Sequence, residues 1–380
     1  MKIQKNRYFD VKKVEFIELF FDLIFVYAIS QMSHTILHLE HAIVPGILFF
    51  KYGVMLFVFV SIWSYQTIYT NRFGLNNTRD LMFLMFNMFI TIYLSNSINT
   101  NFDKTYEAFF LCTAILFFSI GLQYLLTFSE NILHEEKKLC LVYGLTSIFS
   151  SILIFIGYFI PGDTHYHMLY IAIICCLLFP LFGIKILQKS PVNMPHLIER
   201  YSLFTIIMFG ESMVGLGSLF NIQHFEIISI FQFLIILGLF GSYWIKLESF
   251  MNPKQKSTGL KLCYTHIIIF FALGLINASE IFSEEVKINP TFEITLTFVA
   301  ISLFYLGMLL NMTYFHQVYK TKKLYIYVAI ILILFYIINL LIPFHSLTFT
   351  ILVFLTVSTI LGTFMKIRYN NKARDITITE

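Results

Sequence analysis

Twelve runs of about twenty apolar residues succeed one another along this chain, and each is long enough for a ~30 Å hydrocarbon core. They read as spans over 16–38, 43–69, 80–99, 106–128, 139–160, 166–188, 197–220, 226–250, 260–282, 291–316, 324–343 and 346–367. Breakers separate them, among them Pro45-Gly46, Asn76-Asn77, Pro161-Gly162, Pro191, Pro253, Pro290 and Pro343. Of the 380 residues 58% are hydrophobic and only 13% charged, about half the share a soluble domain carries. Such a chain cannot cover a water-facing surface. The expected fold is an all-α polytopic membrane protein with about 12 transmembrane helices.

The basic residues test that reading independently, because Lys and Arg concentrate in cytoplasmic loops. With the N-terminus inside, the inner segments collect every Lys and Arg except Lys51, Lys104 and Lys287. One span more or fewer would scramble the alternation beyond it. The expectation is therefore both termini cytoplasmic. The first apolar segment follows a basic stretch but carries Glu18 and Asp22 and no A-x-A cleavage site, so it reads as a retained span.

The chain also resembles itself. Glu15 with Leu19-Phe20 recurs as Glu199 with Leu203-Phe204, Trp63 as Trp244, and Asn96 as Asn277. Thr105-Tyr106-Glu107 recurs as Thr291-Phe292-Glu293, Lys137-Lys138-Leu139 as Lys322-Lys323-Leu324, and Ile160-Pro161 as Ile342-Pro343. The offset stays at about 181 to 186 positions and the order is kept, which marks a duplicated unit. Six spans is an even number, so both halves enter the membrane in the same direction. Two parallel six-helix repeats, 1–190 and 191–380, are expected, a layout used by transporters.

A charged side chain at membrane depth is costly and points to function by default. On the first span Glu15, Glu18, Asp22 and Ser33 fall within about 60° of one another, with His34 further round. Glu15 and Glu18 also suit a helix N-terminus at the interface, whereas Asp22 lies roughly 9 Å of rise into the span. The seventh span carries His196, Glu199 and Arg200 near its start and Glu211 halfway along, beside Gly210, Gly215 and Gly217. The ninth places His266, Asn277 and Glu280 on one face, and the third places Asp80, Asn87, Thr91 and Ser95 likewise. Candidate polar-pathway residues are Glu18, Asp22, His34, Glu211, His266 and Glu280. Candidates for an inner gate or a structural ion pair are Arg79, Asp80, His196, Glu199 and Arg200.

The five cysteines form no CxxC pair, and no Walker A, GxSxG, HExxH or zinc-type spacing occurs. No catalytic residue, metal or cofactor is expected, and the short loops leave no room for a nucleic-acid-binding domain. His165 and His167 form at most a weak metal signal.

Three stretches together resemble the low temperature requirement A (LtrA) family of bacterial membrane proteins. Glu18-Leu-Phe-Phe-Asp22 continuing through Ser30-Gln-Met-Ser-His34 resembles its opening signature, and Glu199-Arg200-Tyr-Ser-Leu-Phe through Gly210-Glu211-Ser212 its second. Tyr264-Thr-His266 followed by Gly274 and Ala278-Ser-Glu280 resembles its third. Met208-Phe209 stands where the family has an aliphatic residue and Leu before Gly-Glu, a conservative departure. The resemblance implies a multi-pass protein of the bacterial cytoplasmic membrane linked to growth in the cold, and it names no substrate. With the duplication and the buried carboxylates, it leads to the expectation of a transporter or channel for a small solute, cation or proton. The partners would then be the lipid bilayer and that solute or ion. The alternative is a membrane-embedded enzyme acting on a lipid or isoprenoid, with intramembrane His and Glu as acid and base.

Overall fold

Apolar runs of this length have one way to satisfy their backbone without water, which is to close every hydrogen bond within a helix. The computed structural model accordingly contains helices throughout and no extended strand among its described residues, which are 12–74, 77–99, 104–130, 132–162, 164–217, 220, 226–282 and 288–379. The elements are α1 (Phe16–Thr35), α2 (Gly46–Phe73), α3 (Thr78–Asn96), α4 (Tyr106–Phe128), α5 (His134–Phe159), α6 (Thr164–Phe182) and the short α7 (Ile184–Lys189). There follow α8 (Met194–Gly217), α9 (Ile227–Ile245), α10 (Leu260–Phe282), α11 (Pro290–Leu310), α12 (Lys323–Leu341) and α13 (Ser346–Thr379). A π-helical turn, Lys246–Phe250, extends α9.

Each of the twelve expected spans overlaps one long helix, with ends that shift by several residues, and the sixth, 166–188, is broken at Gly183 into α6 and α7. Ten of these, among the described residues, are long and apolar enough to cross a membrane. The two that fall short, α3 and α8, carry polar residues that break their apolar runs: Arg79, Asp80 and Asn87 on the first, Glu199, Arg200 and Glu211 on the second. Much of that polarity faces the interior, since Asp80, Asn87, Thr91 and Ser95 are buried on α3 and His196 and Arg200 on α8, whereas Glu199 is exposed.

Sequence chemistry sets several helix ends. Asn77 caps α3 by accepting from the Asp80 amide at 2.8 Å, and Asn289 caps α11 by accepting from that of Phe292 at 3.2 Å. Lys12 donates to the carbonyls of Thr70 and Gly74, a cation at the negative end of α2. Pro180 lies in the last turn of α6, and Gly183 follows that helix directly.

The chain forms two compact units. The first comprises 1–36, 46–204 and 254–263, and in it α4 packs on α5, α5 on α6, and α3 on α1 and α4. Gly121 and Gly144 allow the closest of these approaches, since a Cβ on Gly121 would lie 2.8 Å from Ile148 and 3.1 Å from the Gly144 carbonyl. The second comprises 37–45, 205–253 and 264–380, and in it α13 packs on α9 and α12 on both α11 and α13.

Candidate functional site

Within the first unit, α1, α2 and the start of α8 bring four chemically active side chains together: Glu18, Asp22, His196 and Arg200. The 3.6-residue period puts Glu18 and Asp22 one turn apart on α1, and His196 and Arg200 one turn apart on α8. All four are buried: Asp22 and Arg200 are 1% exposed, His196 is fully covered and Glu18 is 3% exposed.

Arg200 Nη2 donates to Asp22 Oδ1 at 2.7 Å, and its Nη1 lies 3.6 Å from Glu18 Oε1. Trp63 Nε1 donates to the same Asp22 oxygen at 2.6 Å. Glu18 Oε2 accepts from the Glu15 amide at 3.0 Å and faces His196 Nε2 at 3.1 Å. The other imidazole nitrogen fixes the tautomer. Asn71 Nδ2 points its hydrogens at His196 Nδ1 (3.0 Å) and at the Asn193 carbonyl (2.9 Å), so Nδ1 accepts and Nε2 carries the proton that Glu18 receives. Asn71 Oδ1 accepts from the Asn193 amide at 3.0 Å, which holds the carboxamide in that sense.

An aromatic wall surrounds these polar groups. Trp63 packs against Tyr201 and Phe204, with ring centroids 4.8 and 4.5 Å apart, and Phe25 meets both Phe59 and Phe204. Arg200 lies over the Trp63 ring at 5.7 Å, a cation–π contact added to its ion pairs. Ser64 and Tyr201 share a hydroxyl hydrogen bond of 2.8 Å.

Counting charges decides the character of the site. Glu18 and Asp22 bring two negative charges, Arg200 one positive, and a His196 that accepts on Nδ1 brings none. The cluster is one positive charge short of neutral. Asp22 Oδ2 and Arg200 Nε, both buried, find no hydrogen-bond partner among the described residues. An uncompensated charge in a low-dielectric setting is strongly disfavoured, and a carboxylate oxygen with a spare lone pair is where a proton or a small cation would restore balance.

A second polar group, also within the first unit, is built around Arg79 and Asp80 at the start of α3. Arg79 pairs with Glu130 and, at 3.4 Å, with Asp80. Asp80 also accepts from Tyr69 at 3.0 Å and Gln123 at 3.4 Å. Every partner here is a fixed side chain, so this set suits bracing of α2, α3 and α4.

Within the second unit His266 is buried, and its Nε2 lies 3.0 Å from the Tyr243 hydroxyl, which in turn accepts from Thr205 Oγ1 at 3.0 Å. Lys246 is fully covered, its Nζ 4.5 Å above the Tyr243 ring. Glu280 is buried and Glu211 half-buried. Of the three glycines beside Glu211, Gly215 alone makes the expected close approach, 2.8 Å from Asn277 Oδ1 to a Cβ built there, whereas Gly210 and Gly217 face open space. His34 and Glu199 are exposed.

Sequence reasoning singled out Glu18, Asp22, His196 and Arg200 but not that they meet. It passed over Trp63 and Asn71, which orient two of them. Trp63 was visible only as one half of a repeated pair. Asn71, about two turns beyond Ser64 on a mostly apolar helix, is the kind of polar exception that could have been found.

A sequence profile of the family described as Bacterial low temperature requirement A protein (LtrA) matches residues 13–361. The chain belongs to the LtrA family. No curated protein and no solved structure matches this LtrA protein. The matched range contains all of α1 to α12, so the Glu18–Asp22–His196–Arg200 cluster lies wholly inside the LtrA region.

Proposed function

We propose that this LtrA-family membrane protein is a transporter or channel for a small solute, cation or proton, with the Glu18–Asp22–Arg200–His196 cluster as its charge-binding core. The observation that carries the reading is the surplus negative charge: two buried carboxylates stand against one guanidinium, and Asp22 Oδ2 has no donor among the described residues. Reversible neutralisation of such a group is how a membrane protein couples a charge to movement of a solute. The in-register repeat supports a transporter-like layout of two parallel six-helix halves, and the placement of Lys and Arg supports cytoplasmic termini in a bacterial cell membrane. The family's description names a low temperature requirement, and we read the transport as serving growth in the cold.

The Thr205–Tyr243–His266 hydrogen-bond chain favours the second reading, an intramembrane enzyme using His266 as acid or base on a lipid or isoprenoid. Lipid profiling of cells with and without the protein in the cold separates the two, since only the enzyme reading expects a missing or accumulated species.

The test of the transport reading is uptake into proteoliposomes, with candidate solutes and alkali cations supplied against a pH-sensitive dye inside. Asp22→Asn preserves an oxygen for Trp63 and Arg200 and should abolish uptake in protein that still elutes as a single species. Undiminished uptake by that variant would remove Asp22 from the path.

A further inference from the structure

The two oxygens of Asp22 are used unequally. Oδ1 accepts from Arg200 Nη2 at 2.7 Å and from Trp63 Nε1 at 2.6 Å, while Oδ2, also buried, accepts from no group among the described residues. Both partners are donors only, with no lone pair to share. Glu18, one turn away on α1, brings a second carboxylate whose charge acts on Asp22. Its Oε2 already serves the Glu15 amide and His196. Its Oε1 lies 3.6 Å from Arg200 Nη1, and both of these buried atoms lack a hydrogen bond among the described residues.

This geometry separates the kinds of charge that would restore balance. A hard metal cation gathers about six oxygen ligands or more. Here the spare lone pairs belong to two oxygens, Asp22 Oδ2 and Glu18 Oε1, inside an aromatic wall. Arg200 adjoins both carboxylates, so a metal ion between them would meet a like charge at close range. A proton needs one lone pair and becomes part of the carboxyl group.

Resting on the cluster's reading as the charge-binding core, we propose that its ligand is a proton, taken up on Asp22 Oδ2, and that its arrival hands Arg200 from Asp22 to Glu18. The proton forms an O–H bond at Oδ2 and no bond breaks. Oδ1 remains a carbonyl-type oxygen accepting from Trp63, and the cluster passes from one net negative charge to neutrality. Asp22 then ceases to draw the guanidinium, whereas Glu18 stays ionised. Closing the 3.6 Å separation gives a hydrogen bond to two buried atoms that lack one. Because both acids stand on α1 and Arg200 on α8, the point at which α8 holds α1 moves one turn nearer the start of α1. The charges that act on Asp22 are those of Arg200 and Glu18. From α2 it faces Trp63, and α3, which also packs on α1, carries Arg79 and Asp80 as a pair of their own.

The experiment is an acid titration of the purified full chain, carrying aspartate labelled with ¹³C at its carboxyl carbon, followed by infrared spectroscopy in NaCl, KCl and choline chloride. The expected result is an isotope-shifted carboxylic-acid band that is missing from Asp22→Asn and half-formed at the same proton concentration in all three salts. Trp63→Phe removes the donor to Oδ1 and should move that band to higher frequency, which decides the assignment even where Asp22→Asn fails to fold. Glu18→Gln removes the surplus charge and the alternative seat for Arg200, so half-formation should need at least about tenfold more protons. An acid band unmoved in Trp63→Phe, or unchanged titration in Glu18→Gln, would overturn the proposal. A labelled carboxylate band that follows sodium or potassium at fixed pH would overturn it too, while leaving the transport reading in place. A band that answers to neither protons nor alkali cations would overturn both.

Discussion

Asp22 and Arg200, 178 residues apart in sequence, meet at 2.7 Å with both side chains almost wholly removed from solvent. A pair buried this deeply contributes little net stability while intact, but breaking it exposes the full desolvation cost of the survivor.

Arg200→Ala should therefore be more damaging than loss of a surface ion pair. It leaves Glu18 and Asp22 as two carboxylates without a counter-charge, at a cost of about 3–5 kcal/mol. Arg200→Gln combined with Asp22→Asn should recover part of that loss, because no charge is then stranded on Asp22. Thermal unfolding of the three proteins in detergent checks this, and a double variant as unstable as Arg200→Ala would contradict it.

Trp63→Phe keeps most of the ring packing against Tyr201 and Phe204 but deletes the N–H donated to Asp22. Loss of a hydrogen bond to a charged group costs about 1.5–3 kcal/mol. The chain has 2 tryptophans, and Trp244 is far more exposed, so Trp244→Phe isolates the emission of the buried indole. That emission should shift in Asp22→Asn; an unchanged spectrum would mean that the bond is not formed.

Gly259 has φ +82°, and a Cβ there would lie 2.7 Å from Leu197, the residue after His196. Gly259→Ala should destabilise the protein by about 1–2 kcal/mol from the left-handed backbone alone, with the clash added. Gly46→Ala, whose Cβ would meet nothing, is the control. A Gly259→Ala protein that melts with the wild type would refute the assignment.

The helices were legible because apolar length and breaker residues act locally, and α4, Tyr106–Phe128, begins and ends where its sequence pattern predicts. Polar faces were legible too: Asp80, Asn87, Thr91 and Ser95 share a face by period and are all buried. The meeting of α1 with α8 was not, because the contact joins residues 178 apart and no local pattern encodes which distant helix supplies the counter-charge. His196, Glu199 and Arg200 look alike in sequence, as polar residues at one helix start. Only packing separates the buried His196 and Arg200 from the exposed Glu199. Glu293 was read as a repeat marker, since its partner Glu107 is exposed and gives no hint that Glu293 is buried.

The central claim is that the Glu18–Asp22–Arg200–His196 cluster reversibly takes up one positive charge. Infrared difference spectroscopy of the purified protein observes that event directly, by titrating protons and alkali cations against the carboxyl bands of wild type and Asp22→Asn. The account predicts a carboxyl signal that responds reversibly to proton or cation concentration and is missing from Asp22→Asn. A carboxylate at Asp22 that stays ionised and insensitive to both throughout would make the cluster a static ion pair and contradict the account.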